Sequence, residues 1–95
     1  LASRIPYGTH ISRQILERID RAEGYLRRLG FAQVRVRHYN SLCRIEVPKL
    51  DIGRLMDKRK LVVDKLKKIG YNYVTIDLEG YRSGSLNELL RRTKP

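Results

Sequence analysis

The stretch Arg35–Val47, RVRHYNSLCRIEV, decides the fold. In its first part Arg35 and Arg37 alternate with Val34 and Val36, and in its last part Arg44 and Glu46 alternate with Cys43, Ile45 and Val47. An alternation of period two places successive side chains on opposite faces, the mark of a half-buried strand. HYNS between the two runs suits a hairpin turn, and Pro48, which lacks a backbone N–H, ends the second strand. The result is a hairpin with one apolar face and one face bearing guanidinium groups.

Upstream, LASRIPYGT shows no periodicity and holds Pro6 and Gly8, so residues 1–10 read as an extended lead-in. A helix follows, capped by Ser12, with Ile15, Ile19, Ala22, Leu26 and Leu29 forming an apolar stripe and Gly30 stopping it. Glu17 with Arg21 and Glu23 with Arg27 are spaced as favourable i,i+4 pairs on that helix.

Downstream of the hairpin, a second helical region runs from about Asp51 to Ile69. Gly53 and the charge run DKRK predict a break into a short and a longer helix, the longer marked by Val62, Leu66 and Ile69 and stopped by Gly70. YNYVTIDL is a third strand with Val74, Ile76 and Leu78 inward and Tyr73, Thr75 and Asp77 outward. Ser85 caps a short last helix from Leu86 to about Arg91. LRRLGFAQVRV (Leu26–Val36) echoes LKKIGYNYVTI (Leu66–Ile76) in residue type at almost every place, so two helix-to-strand units should pack alike.

The element order α-β-β-α-β-α predicts an α+β two-layer sandwich, partly ferredoxin-like, with the helices on one face of the sheet. A helical crossover after a hairpin favours the third strand beside the first, giving a three-stranded antiparallel sheet of order 2-1-3. Arg35 and Arg37 then occupy the central strand of an open face, flanked by Arg44 and Glu46 on one side and Thr75 and Asp77 on the other. Two readings fit that face equally: fixed guanidinium forks for an anionic ligand, or cross-strand ion pairs with Glu46 and Asp77.

Ninety-five residues form one domain with a thin core. Its 21 basic residues against 10 acidic give a net charge of +11, which favours anionic partners or serves solubility. No apolar run is long enough to cross a bilayer, and no charged-then-apolar leader opens the sequence. One cysteine, Cys43, permits no internal disulfide, and His10 and His38 lack metal-ligand spacing, so a reducing cytoplasm is the default expectation. Cys43 points into the predicted core as packing, and His38 reads as a turn residue. No nucleophile elbow, paired-carboxylate site or Walker-type phosphate loop is present. The YRSGS stretch at a helix start offers only a weak anion-friendly feature.

Three segments together, LASRIPYG, VRVRHYNSLCRIEVP and VTIDLEGYRSGSLNE, resemble the carboxy-terminal portion of the LarE-like ATP-dependent sacrificial sulfur transferases, members of the PP-loop ATP pyrophosphatase superfamily. The amino-terminal half of that family, which carries the SGGxDS loop and binds ATP, has no counterpart in these 95 residues. The resemblance implies an enzyme that adenylates a carboxylate of a pyridinium mononucleotide, releases pyrophosphate and installs sulfur, feeding a nickel-pincer cofactor. It implies ATP and Mg for the whole enzyme, no cofactor and no activity for this portion alone, and a PP-loop domain as partner. In members of the family a cysteine just before the LASRIPYG segment gives up its sulfur. Carried over, Ser3 and Arg4 lie next to the sulfur-donor loop and Arg35 and Arg37 near the anionic substrate. Glu23 and Glu46 match acidic positions of the same region, with Glu46 at a subunit contact. The rival expectation is a basic RNA-binding module of ferredoxin-like topology, and a third is an oligomerisation module whose open sheet meets another copy. RNA readers of that shape stack bases on sheet aromatics, and only Tyr73 falls clearly on the predicted open face.

Overall fold

The computed structural model describes residues 4–8 and 10–81. The expected helix at Leu86–Arg91, its Ser85 cap and the site residue Ser3 lie outside the described residues.

Helix α1 spans Arg13–Arg28, where the Ser12 hydroxyl accepts the Ile15 N–H at 3.2 Å and satisfies one of the donors that a helix start leaves open. Ile19, Ala22 and Leu26 of the apolar stripe are buried. The hairpin follows as β1 (Arg35–Tyr39) and β2 (Leu42–Glu46), joined through Asn40 and Ser41. Asn40 adopts φ 55, a left-handed conformation that asparagine tolerates better than most residues. After a 3-10 turn at Lys49–Asp51, the second helical region breaks at Lys58 into α2 (Ile52–Asp57) and α3 (Arg59–Ile69), as the charge run predicted. Strand β3 spans Tyr73–Ile76.

The α+β class stands, with three helices and a three-stranded sheet among the described residues. The strand order does not match the expectation. It is β1-β2-β3, with β1 antiparallel and β3 parallel to β2, so the sheet is mixed and β2 is central. Arg35 and Arg37 therefore lie on an outer strand. The physical reason is on the outer edge of β1, where the Val36 N–H donates to Glu23 Oε2 at 2.9 Å. A carboxylate from α1 occupies the position a neighbouring strand would need. The outer side of β2 is open, and the ladder forms there: Tyr73 N–H to Ser41 O at 3.1 Å, Asp77 N–H to Ile45 O at 3.0 Å and Tyr81 N–H to Val47 O at 2.8 Å.

The core lies between the helices and one sheet face. Val36 faces Ile45 across the hairpin, and Cys43 and Ile45 pair with Val74 and Ile76. Leu26, Leu55, Val62 and Leu66 close over them.

The sequence echo is a structural repeat. Gly30 (φ 107) and Gly70 (φ 137) stop α1 and α3 in conformations that side-chain-bearing residues rarely adopt. The Phe31 and Tyr71 N–H groups each reach back to a leucine carbonyl, Leu26 and Leu66, at 3.1 Å, and both rings are buried. The two units also exchange arginines. Arg54 of α2 stacks over Phe31 with its guanidinium carbon 4.4 Å from the ring centroid, while Arg18 of α1 lies 5.5 Å from that of Tyr71. They run in opposite directions on the two sides of β2, each helix packed over its own strand.

A Cβ on Gly70 would sit 2.9 Å from Arg18 Nε, in a backbone conformation already unfavourable for alanine. Gly70→Ala is expected to destabilise the domain by about 1–3 kcal/mol. Urea denaturation of the variant checks this, and an unchanged midpoint would contradict it.

Candidate functional site: the ion-pair face and the pinned lead-in

The face of the sheet away from the helices is built in three cross-strand rows. Register places Tyr39, Leu42 and Tyr73 in the first, and Arg37, Arg44 and Thr75 in the second. Arg35 and Glu46 form the third, with Asp77 following β3 at the same level. An aromatic end thus gives way to cations and then to carboxylates.

Arg37 does not project freely from this face. Its side chain is 2% exposed and donates through Nε and Nη2 to Glu46 Oε1 at 3.1 and 2.9 Å. Glu46 is fully buried and accepts from Arg44 Nη2 on its other oxygen, Oε2, at 3.0 Å. Arg44 also lies 3.6 Å from Asp77 Oδ2 and stacks 5.5 Å from the Tyr39 ring centroid. Cross-strand ion pairing, one of the two readings open at the sequence level, is therefore realised by Arg37 and Arg44. The expectation of an uncovered guanidinium at Arg37 is corrected, because Glu46 lies diagonally opposite on the central strand.

Arg35 has a different setting. It is half-buried at the start of β1, donates Nη1–H to Val34 O at 3.0 Å and stacks 5.2 Å from the Tyr81 ring centroid. Among the described residues no carboxylate pairs with it. Arg35 thus stands outside the Glu46 network.

A second charged cluster holds the lead-in. Arg4 Nε donates to Glu23 Oε2 at 2.9 Å and Arg4 Nη2 to Glu23 Oε1 at 3.3 Å. Arg27 Nη2 reaches Oε1 at 3.1 Å, and the Val36 N–H completes the set. Glu23 is buried, so its charge survives only because these partners replace water. Ile5, also buried, seats the lead-in beside the pair. Arg4, Glu23 and β1 are thus one unit, while Glu46 belongs to the other cluster.

Sequence reasoning missed His38. It is not a turn residue but lies on the core face of β1, register partner of Cys43, with Nδ1 2.9 Å from the Tyr71 hydroxyl and Nε2 buried without a hydrogen-bond partner. The signal was parity, since 34, 36 and 38 share one face. Burial, and next the nearby Arg18, lower its pKa below the ordinary 6.5. Burial pushes the Cys43 thiol up to about 12, which leaves it protonated and inert at neutral pH, in keeping with a packing role. Among the described residues, no group of three or more His, Cys, Asp or Glu side chains could hold a metal ion, and no helix is long and apolar enough to cross a membrane.

No family model matches the chain. Individual proteins do. The chain is 42% identical over 94 residues to the pyridinium-3,5-bisthiocarboxylic acid mononucleotide synthase of Lactiplantibacillus plantarum, a match covering 99% of this chain and 34% of that protein. Over nearly its whole length the chain is homologous to one portion of this LarE-like protein. An uncharacterized protein of Synechocystis is 48% identical over 94 residues, covering 97% of this chain and 35% of that protein. An uncharacterized protein of Methanocaldococcus jannaschii is 32% identical over 83 residues, covering 87% of this chain and 32% of that protein. The chain thus spans about a third of the length of the relatives it matches. The aromatic rings of its charged face do not form a base-stacking platform: Tyr73 is 63% exposed, but Tyr39 lies against Arg44 and Tyr81 against Arg35.

The two β1 arginines should separate in a denaturation experiment. Arg37→Ala leaves Glu46 buried with one guanidinium fewer and is expected to cost about 3 kcal/mol, whereas Arg35→Ala should cost under about 1 kcal/mol. Equal losses would contradict the assignment. His38 generates a pH dependence. Its folded pKa lies below the unfolded one, so the unfolded chain takes up the proton first as pH falls. Its contribution is whole above about pH 6.5 and is lost below that value, at no more than about 1.4 kcal/mol per pH unit. His38→Gln should remove that part of the slope of stability between pH 7 and 5.

Proposed function

We propose that this chain is the carboxy-terminal substrate-facing portion of an ATP-dependent, adenylating sulfur transferase that acts on a carboxylated pyridinium mononucleotide in nickel-pincer cofactor biosynthesis. The observation that carries the reading is the tie between the lead-in and β1: Arg4 and the Val36 N–H share one buried carboxylate, Glu23. In the family this chain resembles, the sulfur-donor loop runs directly into the lead-in. A lead-in pinned to β1 fixes the end of that loop relative to Arg35, two elements whose mutual position sulfur transfer depends on.

Each group then has a defined part. Arg35 offers a planar fork to a phosphate or carboxylate of the substrate, and Tyr81 restricts the plane in which that fork can lie. Arg37 acts as a positioning residue, because its bond to Glu46 holds β1 onto the central strand. Glu23 positions the donor loop through Arg4, and Ser3 lies in that same segment. Nucleotide binding, Mg and the adenylation step belong to the remainder of the polypeptide, the PP-loop portion and principal partner of this chain. The setting is cytoplasmic, and further copies of the enzyme are compatible partners.

The test is sulfur transfer by the full-length enzyme. Arg35→Ala should lower kcat/KM by about 10- to 100-fold, the worth of one or two charge-assisted hydrogen bonds, with the melting temperature nearly unchanged. Arg35→Lys should recover only part of the loss, because a point charge does not reproduce the fork. Wild-type transfer by Arg35→Ala would overturn the reading.

A further inference from the structure

The sheet has two outer strands, and the chain treats them differently. On β1 the outward Val36 N–H is taken by Glu23, and the Arg4 segment is fastened against the same carboxylate. Proteins close exposed sheet edges with charges and covering segments of this kind, because an open edge recruits other strands. Strand β3 has no such protection among the described residues. The N–H groups of Tyr73 and Asp77 point to β2, so alternation turns those of Val74 and Ile76 outward. No strand pairs with them among the described residues, and Tyr73–Ile76, YVTI, holds no charge and no proline.

A cleft of about 70 Å³ opens between the second helical region and strands β2 and β3, lined by Ile45, Met56, Val63, Val74 and Ile76, with Arg59 among its walls. That volume suits one aliphatic side chain. Met56 is 47% exposed at the cleft, and Arg59 pairs with no carboxylate among the described residues.

We propose that the outer edge of β3 receives an extended segment from the remainder of the longer polypeptide. The segment adds a fourth strand, sets an aliphatic side chain in the cleft and brings a carboxylate to Arg59. This rests on the reading of the chain as one portion of a larger sulfur transferase. Three observations choose the occupant. The relatives are about three times as long as this chain, so on that reading the partner sequence is supplied by the same polypeptide. A second copy would bring two +11 chains together with an Arg59 on each side of the seam. An edge of four residues also supplies little of the roughly 1,000 Å² that a stable separate complex requires, whereas a tethered segment needs far less.

Amide exchange resolved by NMR tests this, comparing the 95-residue chain with the same residues inside the longer polypeptide. Val74 and Ile76 should exchange freely in the chain alone at every concentration, slow on the order of 100-fold in the longer polypeptide, and lose most of that protection in Met56→Glu. Equal rates in the two settings would overturn the proposal. Protection in the chain alone would also overturn it, by pointing to cover from residues 82–95 if independent of concentration, or to a second copy if it rises with concentration. The rates are read without ATP or substrate. Unprotected amides with an intact Arg35 effect on transfer would sink this inference alone, and the reverse outcome would sink the functional reading alone.

Discussion

One buried carboxylate organises the domain. Glu23 sits on α1 between Ile19 and Leu26, the inward face of the helix, where an unpaired charge would be strongly destabilising. It persists because Arg4, Arg27 and the Val36 N–H surround it. Those partners come from the lead-in, the helix and the first strand, so a single electrostatic requirement locks three segments together. It also occupies the outer edge of β1. With that edge taken, β3 joins β2, the hairpin's second strand becomes central, and the charged face takes its middle from Arg44 and Glu46 rather than from Arg35 and Arg37.

Much of this was legible in the chain, and what was not has an identifiable cause. Ser12, the apolar stripe, Gly30 and Gly70 mark helix boundaries through local backbone chemistry, and local chemistry is what a sequence displays directly. Parity fixed the faces of the three strands for the same reason, except at Leu78, which was expected inward but lies past the end of β3 and is exposed. Strand order is not local. Alternation states which side chains share a face but not which strand lies beside which, and the crossover rule is satisfied by a third strand on either side of the hairpin. The deciding bond, Glu23 to Val36, looked like one half of an ordinary i,i+4 surface pair with Arg27. The clue was its position three residues before Leu26 and four after Ile19, on the buried side of the helix.

The charged face divides along the same line. Arg35 and Arg37 share a period and a residue type, so nothing in the pattern separates them. Geometry does, through one step along β1. Arg37 stands opposite Arg44, within diagonal reach of Glu46, and is sealed into a buried pair. Arg35 stands opposite Glu46 itself, yet that carboxylate is occupied on both oxygens by Arg37 and Arg44, and Arg35 turns to the Tyr81 ring instead. Ion pairing, one of the two sequence-level readings of the arginine row, is therefore realised at Arg37, while Arg35 pairs with no carboxylate among the described residues.

That division has a mechanical sense. A guanidinium that must meet an anion in a fixed geometry is useful only if its strand does not move, and a short outer strand held by one set of ladder bonds is poorly restrained. The Arg37–Glu46 pair fastens β1 from the charged face, the Glu23–Val36 bond fastens it from its edge, and Val36 fastens it from the core. β1 is thus tied to buried partners on its charged face, its edge and its core side, next to the half-buried Arg35. The same logic separates the two sides of the sheet. Among the described residues, restraint is concentrated on β1, whose edge and charged face are both tied to buried carboxylates, while β3 has no strand on its outer side and an apolar cleft near it.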